Sequence, residues 1–320
     1  MGRYLLRRIG LAVGVLWAAF TVSFVVLYLV PGDIVDAMTS GQEVPPTDAE
    51  IATMRAEYGV DKPLIVQYGD RLWAALHGDF GSSVQTGRSV TSSILDALPS
   101  TAVLAGAALL IAVIGGGLLA LLATGTESRW ARQLLLAVPP LAVSLPTFWV
   151  GLVLIQVFSF QLGWFPAIGG EGIAGLVLPA VTLAMPIGAV FAQILAKSLS
   201  TALDDAYVAT ARAKGVGRIA IHLKHALRNA ALPAITVLGV LVGNLLAGAV
   251  VVETVFARAG IGRLTVQGVT AQDIPVVQGI VVFGALVFVT VNLLVDLVYP
   301  LIDPRISVAS TAAKKVKVNA

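Results

Sequence analysis

Two histidines have a spacing that could support metal chemistry. His222 and His225 lie three positions apart in a segment with helical periodicity, which places both imidazoles on one side of a helix. No carboxylate or third histidine lies nearby, and the neighbouring charged residues Arg218, Lys224 and Arg228 are all basic. Because these charges would repel a cation, we expect the histidines to belong to the polar face of a helix.

Two carboxylates in otherwise apolar segments are the second candidates. An ionisable residue at the centre of a bilayer costs about 2.5–3.5 kcal/mol on insertion scales, so such residues are usually functional. Glu253 lies near the outer end of one apolar segment, and Asp296 lies near the inner end of another. A proton- or sodium-driven carrier places its charges or broken helices near the midplane. The sequence therefore disfavours a secondary transporter, which stays as the alternative of a different class.

Several catalytic motifs are absent from the sequence. It contains no Gly-Lys-Ser/Thr of a phosphate-binding loop, no G-x-S-x-G, no H-E-x-x-H and no cysteine. We therefore expect a chain that is not an enzyme, has no catalytic or metal-binding residues and carries no cofactor of its own.

The composition indicates that the helices which carry these residues lie in a membrane. Of the 320 residues 57% are hydrophobic and 12% are charged, with a mean hydropathy of +0.90, whereas a soluble domain is about 25% charged. A helix needs about 20 apolar residues to cross a bilayer. We predict an all-α polytopic membrane protein with six transmembrane helices, the first of them an uncleaved anchor. The predicted spans are Ile9–Val30, Thr101–Thr124, Leu134–Phe160, Leu176–Ala196, Leu232–Phe256 and Val276–Leu301.

The distribution of lysine and arginine predicts the orientation. Residues 1–8, 125–133, 197–231 and 302–320 hold 15 of the 21 basic residues and 4 of the 18 acidic ones. Basic residues are enriched on the cytoplasmic side, so both termini are predicted to be cytoplasmic.

Three regions follow from this topology. Residues 1–98 form an N-terminal transmembrane helix plus an extracytoplasmic segment. Residues 99–306 form a five-helix core with a cytoplasmic loop at 197–231, and residues 307–320 form a disordered basic tail. Within the first region, "TDAEIATMRAEYGV" predicts a short helix with Thr47 as N-cap, Glu50 at the third helical position and Gly59 as the stop.

The stretch Asp204–Pro233, "DDAYVATARAKGVGRIAIHLKHALRNAALP", is an unusually basic interruption. It predicts a helix that ends at Gly215, an amphipathic helix over 216–229, and a fifth span that starts at Leu232-Pro233. One alternative is a helix that lies among anionic lipid headgroups, which composition alone slightly favours. The other is a helix that docks in a groove of a cytoplasmic partner. The predicted apolar face is Ile219, Ala220, Leu223, Ala226 and Leu227, and the polar face is Arg218, His222, His225 and Asn229.

This stretch resembles the cytoplasmic EAA loop of ABC importer permeases. Ala209, Thr210, Ala211 and Gly215 match the first part of the loop pattern, with Ala and Thr in place of its Glu and first Ala. Leu232-Pro233 match its end, with Ala230 in place of Ile. The separation between Gly215 and Pro233 is longer than in the general pattern and is similar to the peptide and nickel importer branch.

Further matches extend the resemblance from about Arg3 to Arg305, and their order and spacing are similar to the first permease subunit of dipeptide/oligopeptide importers. The matching pieces are "VPGD" (30–33), "YGVDKPLIVQY" (58–68), "GDFGSSVQTGRSV" (78–90), "LPSTAVLA" (98–105), "VVVETVFARAGIGRL" (250–264), "DIPVVQG" (273–279) and "VNLLVDLVYPLIDPR" (291–305).

The resemblance implies a type I ABC importer permease fold in a bacterial inner membrane. It implies ATP-driven import, most simply of short peptides, although the same scaffold serves nickel chelates, glutathione or oligosaccharides. The implied partners are a second permease subunit forming a heterodimer, two cytoplasmic ATPase subunits that carry ATP and Mg, an extracytoplasmic substrate-binding protein and membrane lipid, with no nucleic acid.

The resemblance also implies two sets of site residues. One set couples to an ATPase, and the other belongs to an outer motif in which Glu253 has either a structural or a gating role. The coupling residues are Ala209, Ala211, Arg212, Gly215, Ile219, Leu223, Leu227 and Pro233, and the outer-motif residues are Glu253, Gly260 and Gly262.

Overall fold

A computed structural model of the chain describes residues 2–28, 35, 39, 46–59, 61–170 and 172–302. The "VPGD" stretch, the tail 307–320 and the side chain of Asp296 lie outside the described residues. The helices are α1 (Gly2–Tyr28), α2 (Asp48–Tyr58), α3 (Leu64–Leu76), α4 (Val90–Gly125), α5 (Arg129–Ser144), α6 (Thr147–Gln161), α7 (Ala174–Leu203), α8 (Ala206–Ala213), α9 (Arg218–Val255), α10 (Ile261–Thr270) and α11 (Ile274–Ile302).

The all-α prediction is confirmed. Within the described residues there is no β-sheet, and one isolated bridge pairs Ser82 with Ser89. Five described helices, α1, α4, α7, α9 and α11, are long and apolar enough to cross a membrane, and α5 with α6 makes up to six if that bent pair counts as one span.

The third predicted span is broken. Leu134–Phe160 was predicted as one helix, but α5 and α6 meet at an angle of 104°. Pro146 causes the break because a proline disfavours helical geometry in the residue before it. Leu145 accordingly has an extended backbone, with φ −83° and ψ 130°. The prediction of a continuous third span was therefore wrong.

The fifth predicted span begins much earlier than expected. Instead of starting at Leu232-Pro233, α9 runs without a break from Arg218 to Val255 and contains Pro233. Its 38 residues give a length of about 57 Å at 1.5 Å per residue, roughly twice the 30 Å thickness of the hydrocarbon core. The segment predicted as a separate amphipathic helix is therefore continuous with the fifth predicted span.

The chain forms two compact units. The first contains the described residues of 1–102 and 258–289, and the second contains those of 103–257 and 290–302. The division predicted at residues 98 and 99 stays a prediction, and α4 runs through those positions.

In the first unit, a buried carboxylate joins two of the sequence motifs. Asp273 is 2% exposed and accepts a 2.6 Å hydrogen bond from the hydroxyl of Ser83 and a 3.4 Å bond from the backbone amide of Gln85. It also accepts a 3.4 Å bond from the amide of Val276 at the start of α11. These contacts fix "GDFGSSVQTGRSV" against "DIPVVQG". A small apolar cluster of Val90, Ile94, Ile261, Val276 and Ile280 completes the core of this region.

The capping prediction for α2, in the same unit, is confirmed. The hydroxyl of Thr47 accepts a hydrogen bond from the amide of Glu50, and the carboxylate of Glu50 accepts one from the amide of Thr47. The hydrogen bonds that the amide and the hydroxyl of Thr47 donate to the Glu50 carboxylate lower the pKa of that carboxyl. Gly59 ends the helix in the left-handed conformation, with φ +66°, as a glycine stop requires.

The second unit is built around α7. More than half of its most apolar stretch, 56%, is buried, against 22% for α4 and for α9. Its core is made of Leu104, Leu183, Ile187, Leu245 and Val252 with their neighbours. The contact with α4 is close because two glycines meet: a Cβ on Gly116 would lie 2.5 Å from the carbonyl oxygen of Gly188.

Gly116→Ala is expected to destabilise the protein, whereas Gly115→Ala is not. The added methyl group at 116 would meet backbone at 2.5 Å and Phe191 at 3.1 Å, and overpacking of this kind costs about 1–3 kcal/mol. At Gly115 nothing lies within 4 Å, so alanine gains up to about 1 kcal/mol of helix propensity. Thermal unfolding of the detergent-solubilised protein measures both, and equal melting temperatures for the two variants would contradict the close approach of α4 and α7.

The orientation can be tested by cysteine labelling, because the chain has no cysteine of its own. Thr86, Gln267, Ser128 and Lys224 are all exposed in their units, whereas Ser83 is buried against Asp273 and is unsuitable. In intact cells, Thr86→Cys and Gln267→Cys should react with an impermeant maleimide, and Ser128→Cys and Lys224→Cys should react only after permeabilisation. Labelling of Lys224→Cys from outside would overturn the predicted topology.

Candidate functional site

The helix predicted to end at Gly215 is present as α8. Asp205 occupies the N-cap position, and Val208 anchors the helix by burying all but 1% of its surface. Gly215 has φ +78°, a left-handed conformation that costs a residue with a Cβ roughly 1 kcal/mol. The amide of Gly215 donates to the carbonyl of Arg212 at 2.9 Å, and that of Val216 donates to Ala211 at 3.1 Å. The predicted stop is therefore observed.

The first turns of α9 are wider than in a regular helix. Residues 221–226 form a π-helical segment, in which hydrogen bonds run from i to i+5. The wider turn changes the angle between successive side chains, so a helical wheel drawn with 3.6 residues per turn assigns some of them to the wrong side.

The predicted faces of this segment are consequently only partly correct. Of the predicted apolar face, Ile219 and Leu223 are 76% and 50% exposed, whereas Ala226 is fully buried and Leu227 is half-buried. His222 was predicted on the polar face but is 8% exposed. That prediction was wrong, because the π-helical segment and a polar partner on α4 turn this imidazole inward.

The polar partner of His222 is Thr124 near the end of α4, with 3.1 Å between Nε2 and Oγ1. One turn earlier on α9, the guanidinium of Arg218 donates a 2.9 Å hydrogen bond to the carbonyl of Gly125 and forms an ion pair with Glu127. Sequence reasoning missed Thr124, Gly125 and Glu127, since nothing in their local sequence indicates partners more than ninety positions away.

The two histidines belong to no cluster of metal ligands among the described residues. In the part of the chain that the structure covers, no three or more His, Cys, Asp or Glu side chains lie close enough together to hold a metal ion.

The exposed residues of α8 and early α9 form a surface with a mixed character, which we call the docking segment, residues 206–229. Two large apolar side chains, Ile219 and Leu223, stand one helical turn apart and are exposed. Exposed apolar groups that are flanked by cations suit a protein groove with an acidic rim. The other exposed residues of the segment include Ala209, Arg212, Lys214, Lys224, His225 and Arg228.

The remaining predicted coupling residues lie close to this surface but contribute less of it. Ala211 is half-buried in α8, and Pro233 is exposed but sits within α9, beyond the docking segment. Their predicted role in coupling stays a prediction.

The outer-motif residues divide between the two units. Glu253 belongs to the second unit, lies in the last turn of α9, is 0% exposed and is engaged by a polar or electrostatic contact. Gly260 and Gly262 belong to the first unit, at the start of α10, where the amide of Ile261 donates a 2.9 Å hydrogen bond to Thr101. The structural role and the gating role of Glu253 both stay predictions.

The comparisons with known proteins agree with the fold. The family described as "Binding-protein-dependent transport system inner membrane component" matches residues 115–308, and its N-terminal counterpart, "Binding-prot-dependent transport system membrane comp, N-term", matches residues 1–105. A crystal structure of an amino acid ABC transporter with histidines has a similar fold, with a TM-score of 0.52 and 20% sequence identity over 65% of this chain and 94% of the other.

Two curated relatives match almost the whole chain. The glutathione transport system permease protein GsiC of Salmonella typhimurium is 36% identical over 96% of this chain and 99% of its own length. The protein of the same name from Escherichia coli strain K12 is 35% identical with the same coverage. The chain therefore belongs to the family of binding-protein-dependent transport system inner membrane components and is a permease subunit of an ABC importer.

Proposed function

We propose that the chain is the first of two permease subunits in a bacterial inner-membrane importer of short peptides, with glutathione, itself a tripeptide, as the leading candidate. Both N- and C-termini face the cytoplasm. The second permease subunit completes the translocation path, an extracytoplasmic binding protein delivers the substrate, and two cytoplasmic ATPase subunits bind ATP and Mg. The chain itself makes and breaks no covalent bond.

The observation that carries this proposal is the docking segment. Ile219 and Leu223 are exposed in the first turns of α9, a helix that is long and apolar enough to cross a membrane. Full burial of a side chain of this size stabilises a contact by about 1.5–3 kcal/mol. A groove that covers both side chains would therefore hold α9 firmly enough to transmit movement.

The proposed mechanism uses the continuity of α9. ATP binding closes the two ATPase subunits, and the groove carries the docking segment with it. Because α9 is continuous from Arg218 to Val255, displacement of its first turns displaces its transmembrane part as well. The membrane helices then change from inward-facing to outward-facing, and hydrolysis reverses the change.

The substrate class is supported by the two relatives named for glutathione transport, which match this chain along nearly its whole length. Nickel chelates and oligosaccharides are the alternative substrate classes. A secondary transporter is the alternative from a different class, and it would need no ATPase partner.

The substrate can be tested by uptake into cells that lack other peptide importers and express this chain with its partner subunits. Labelled glutathione should accumulate, and its uptake is measured with and without an excess of unlabelled dipeptides as competitors. Uptake of nickel and of an oligosaccharide is measured in the same cells. Accumulation of nickel or the oligosaccharide without any glutathione or dipeptide uptake would overturn the proposed substrate class.

A further inference from the structure

The contacts between early α9 and the cytoplasmic end of α4 form a distinct structure, which we call the latch. It consists of Thr124, Gly125 and Glu127 on one side and Arg218 and His222 on the other. All five residues belong to the second unit, and the function proposed for the docking segment uses none of these contacts.

The bond between His222 and Thr124 is buried and directional. The two side chains are 8% and 7% exposed. The hydroxyl of Thr124 donates its only proton to the carbonyl of Ala120, at 2.8 Å. In that arrangement its oxygen accepts from Nε2 of His222. The bond ties the two helices together at a defined register.

Arg218 adds a second attachment one turn away. Its guanidinium donates to the carbonyl of Gly125, the last residue of α4, where a cation also meets the negative end of the helix dipole. The same group pairs with Glu127, which is 82% exposed. An exposed ion pair contributes little to stability, so this attachment is better suited to positioning than to holding the fold together.

The latch overlaps the docking segment, because Arg218 and His222 belong to both. Arg218 and His222 flank Ile219 and precede Leu223, so the residues that would contact an ATPase and those that contact α4 alternate along the same two turns. A force on Ile219 and Leu223 is therefore applied at the point where α9 is fastened to α4.

We propose that the latch makes the cytoplasmic end of α4 move together with the docking segment as one body, with Arg218, His222 and Thr124 as positioning residues for coupling. This inference rests on the proposed function. In this arrangement, movement of the ATPases displaces two transmembrane helices, α9 and α4, instead of α9 alone.

A cysteine pair can break the latch and then restore it covalently, because the chain has no other cysteine. The double variant Thr124→Cys with His222→Cys is assembled into the complete complex in proteoliposomes. Uptake per ATP hydrolysed is measured before and after treatment with a short bifunctional thiol reagent, with mass spectrometry to determine the linked fraction. The two single variants receive the same treatment and form no link.

The expected result has two parts. Without the link, uptake per ATP hydrolysed falls at least about fivefold, the lower end of typical coupling between sites, while the ATPases still co-purify. With the link, the ratio returns towards the unmodified value. An unchanged ratio in the unlinked double variant, or a linked protein whose uptake stays low, would overturn the inference.

Failure of the latch is distinguishable from failure of the proposed function. If the docking segment contacts no ATPase, substitution of Leu223 in the otherwise unmodified chain does not change co-purification of the ATPases. If only the latch is wrong, that dependence remains and the cysteine pair alone gives the contrary result.

Discussion

Leu223→Asp should abolish ATP-driven uptake and release the ATPases while the chain still inserts in the membrane. Leu223 is 50% exposed, so the substitution removes little of the chain's own core. An ionised, unpaired carboxylate that is buried in an apolar contact costs several kcal/mol. A loss of about 3 kcal/mol weakens association roughly a hundredfold. Co-purification of the ATPases with tagged Leu223→Asp, and their stimulated hydrolysis, measure the effect.

Two control variants keep this test specific. Asn229→Asp introduces a carboxylate on the same segment, at an exposed position that was assigned to the opposite face. Leu223→Met keeps an apolar side chain of similar volume, for which substitutions usually cost less than about 1.5 kcal/mol. Both controls should retain the ATPases. A fully assembled Leu223→Asp complex with normal binding-protein-stimulated hydrolysis would refute the docking role and favour a helix on the lipid surface.

The second large effect concerns the source of energy. The sequence contains no Gly-Lys-Ser/Thr phosphate-binding motif, so hydrolysis is expected only from partner subunits. Replacing the phosphate-binding lysine of both ATPases should stop uptake in cells. Collapse of the proton gradient, with ATP maintained, should leave most of the uptake intact.

The reverse pattern identifies the rival class. A secondary transporter would continue uptake after loss of the ATPase lysines. Its uptake would stop when the proton gradient collapses. The matched control is the same pair of treatments on cells that lack this chain, which gives the background uptake.

Local signals in the sequence predicted several elements correctly. The helix over Asp48–Tyr58 has the Thr47 and Glu50 capping pair that its sequence indicates, because such caps involve only residues within one turn. Gly215 has the left-handed backbone expected of a helix stop. Hydropathy located the spans because a helix must satisfy its own backbone groups inside a membrane.

Proline was the feature that the sequence left ambiguous. Pro139, Pro140 and Pro233 lie inside helices, whereas Pro146 marks a bend of 104° between α5 and α6. Membrane helices tolerate proline when neighbouring groups satisfy the freed carbonyl oxygens. Whether such groups are present depends on tertiary packing, which a single sequence does not specify.

The docking segment is largely helical, as predicted, but its second helix is continuous with the fifth span and its faces were only partly correct; its docking role stays a prediction. Ile219 and Leu223 were predicted to form one apolar surface and are exposed, as docking requires. His222 was misassigned because residues 221–226 form a π-helical segment and because its partner Thr124 is 98 positions away. Neither the wider turn nor the distant hydroxyl has a signal in the periodicity of the segment.

The most direct test of the coupling claim is a photo-cross-link from Ile219. Ile219 is 76% exposed in the structure. A benzophenone-maleimide attached to Ile219→Cys in the membrane-inserted protein therefore reacts with whatever covers the docking segment. Ile173→Cys, at an 81% exposed position in the loop before α7, is the control on the predicted outer side. Illumination should join an ATPase subunit to the chain from position 219 and not from position 173. Cross-links from position 219 to lipid alone would contradict the account.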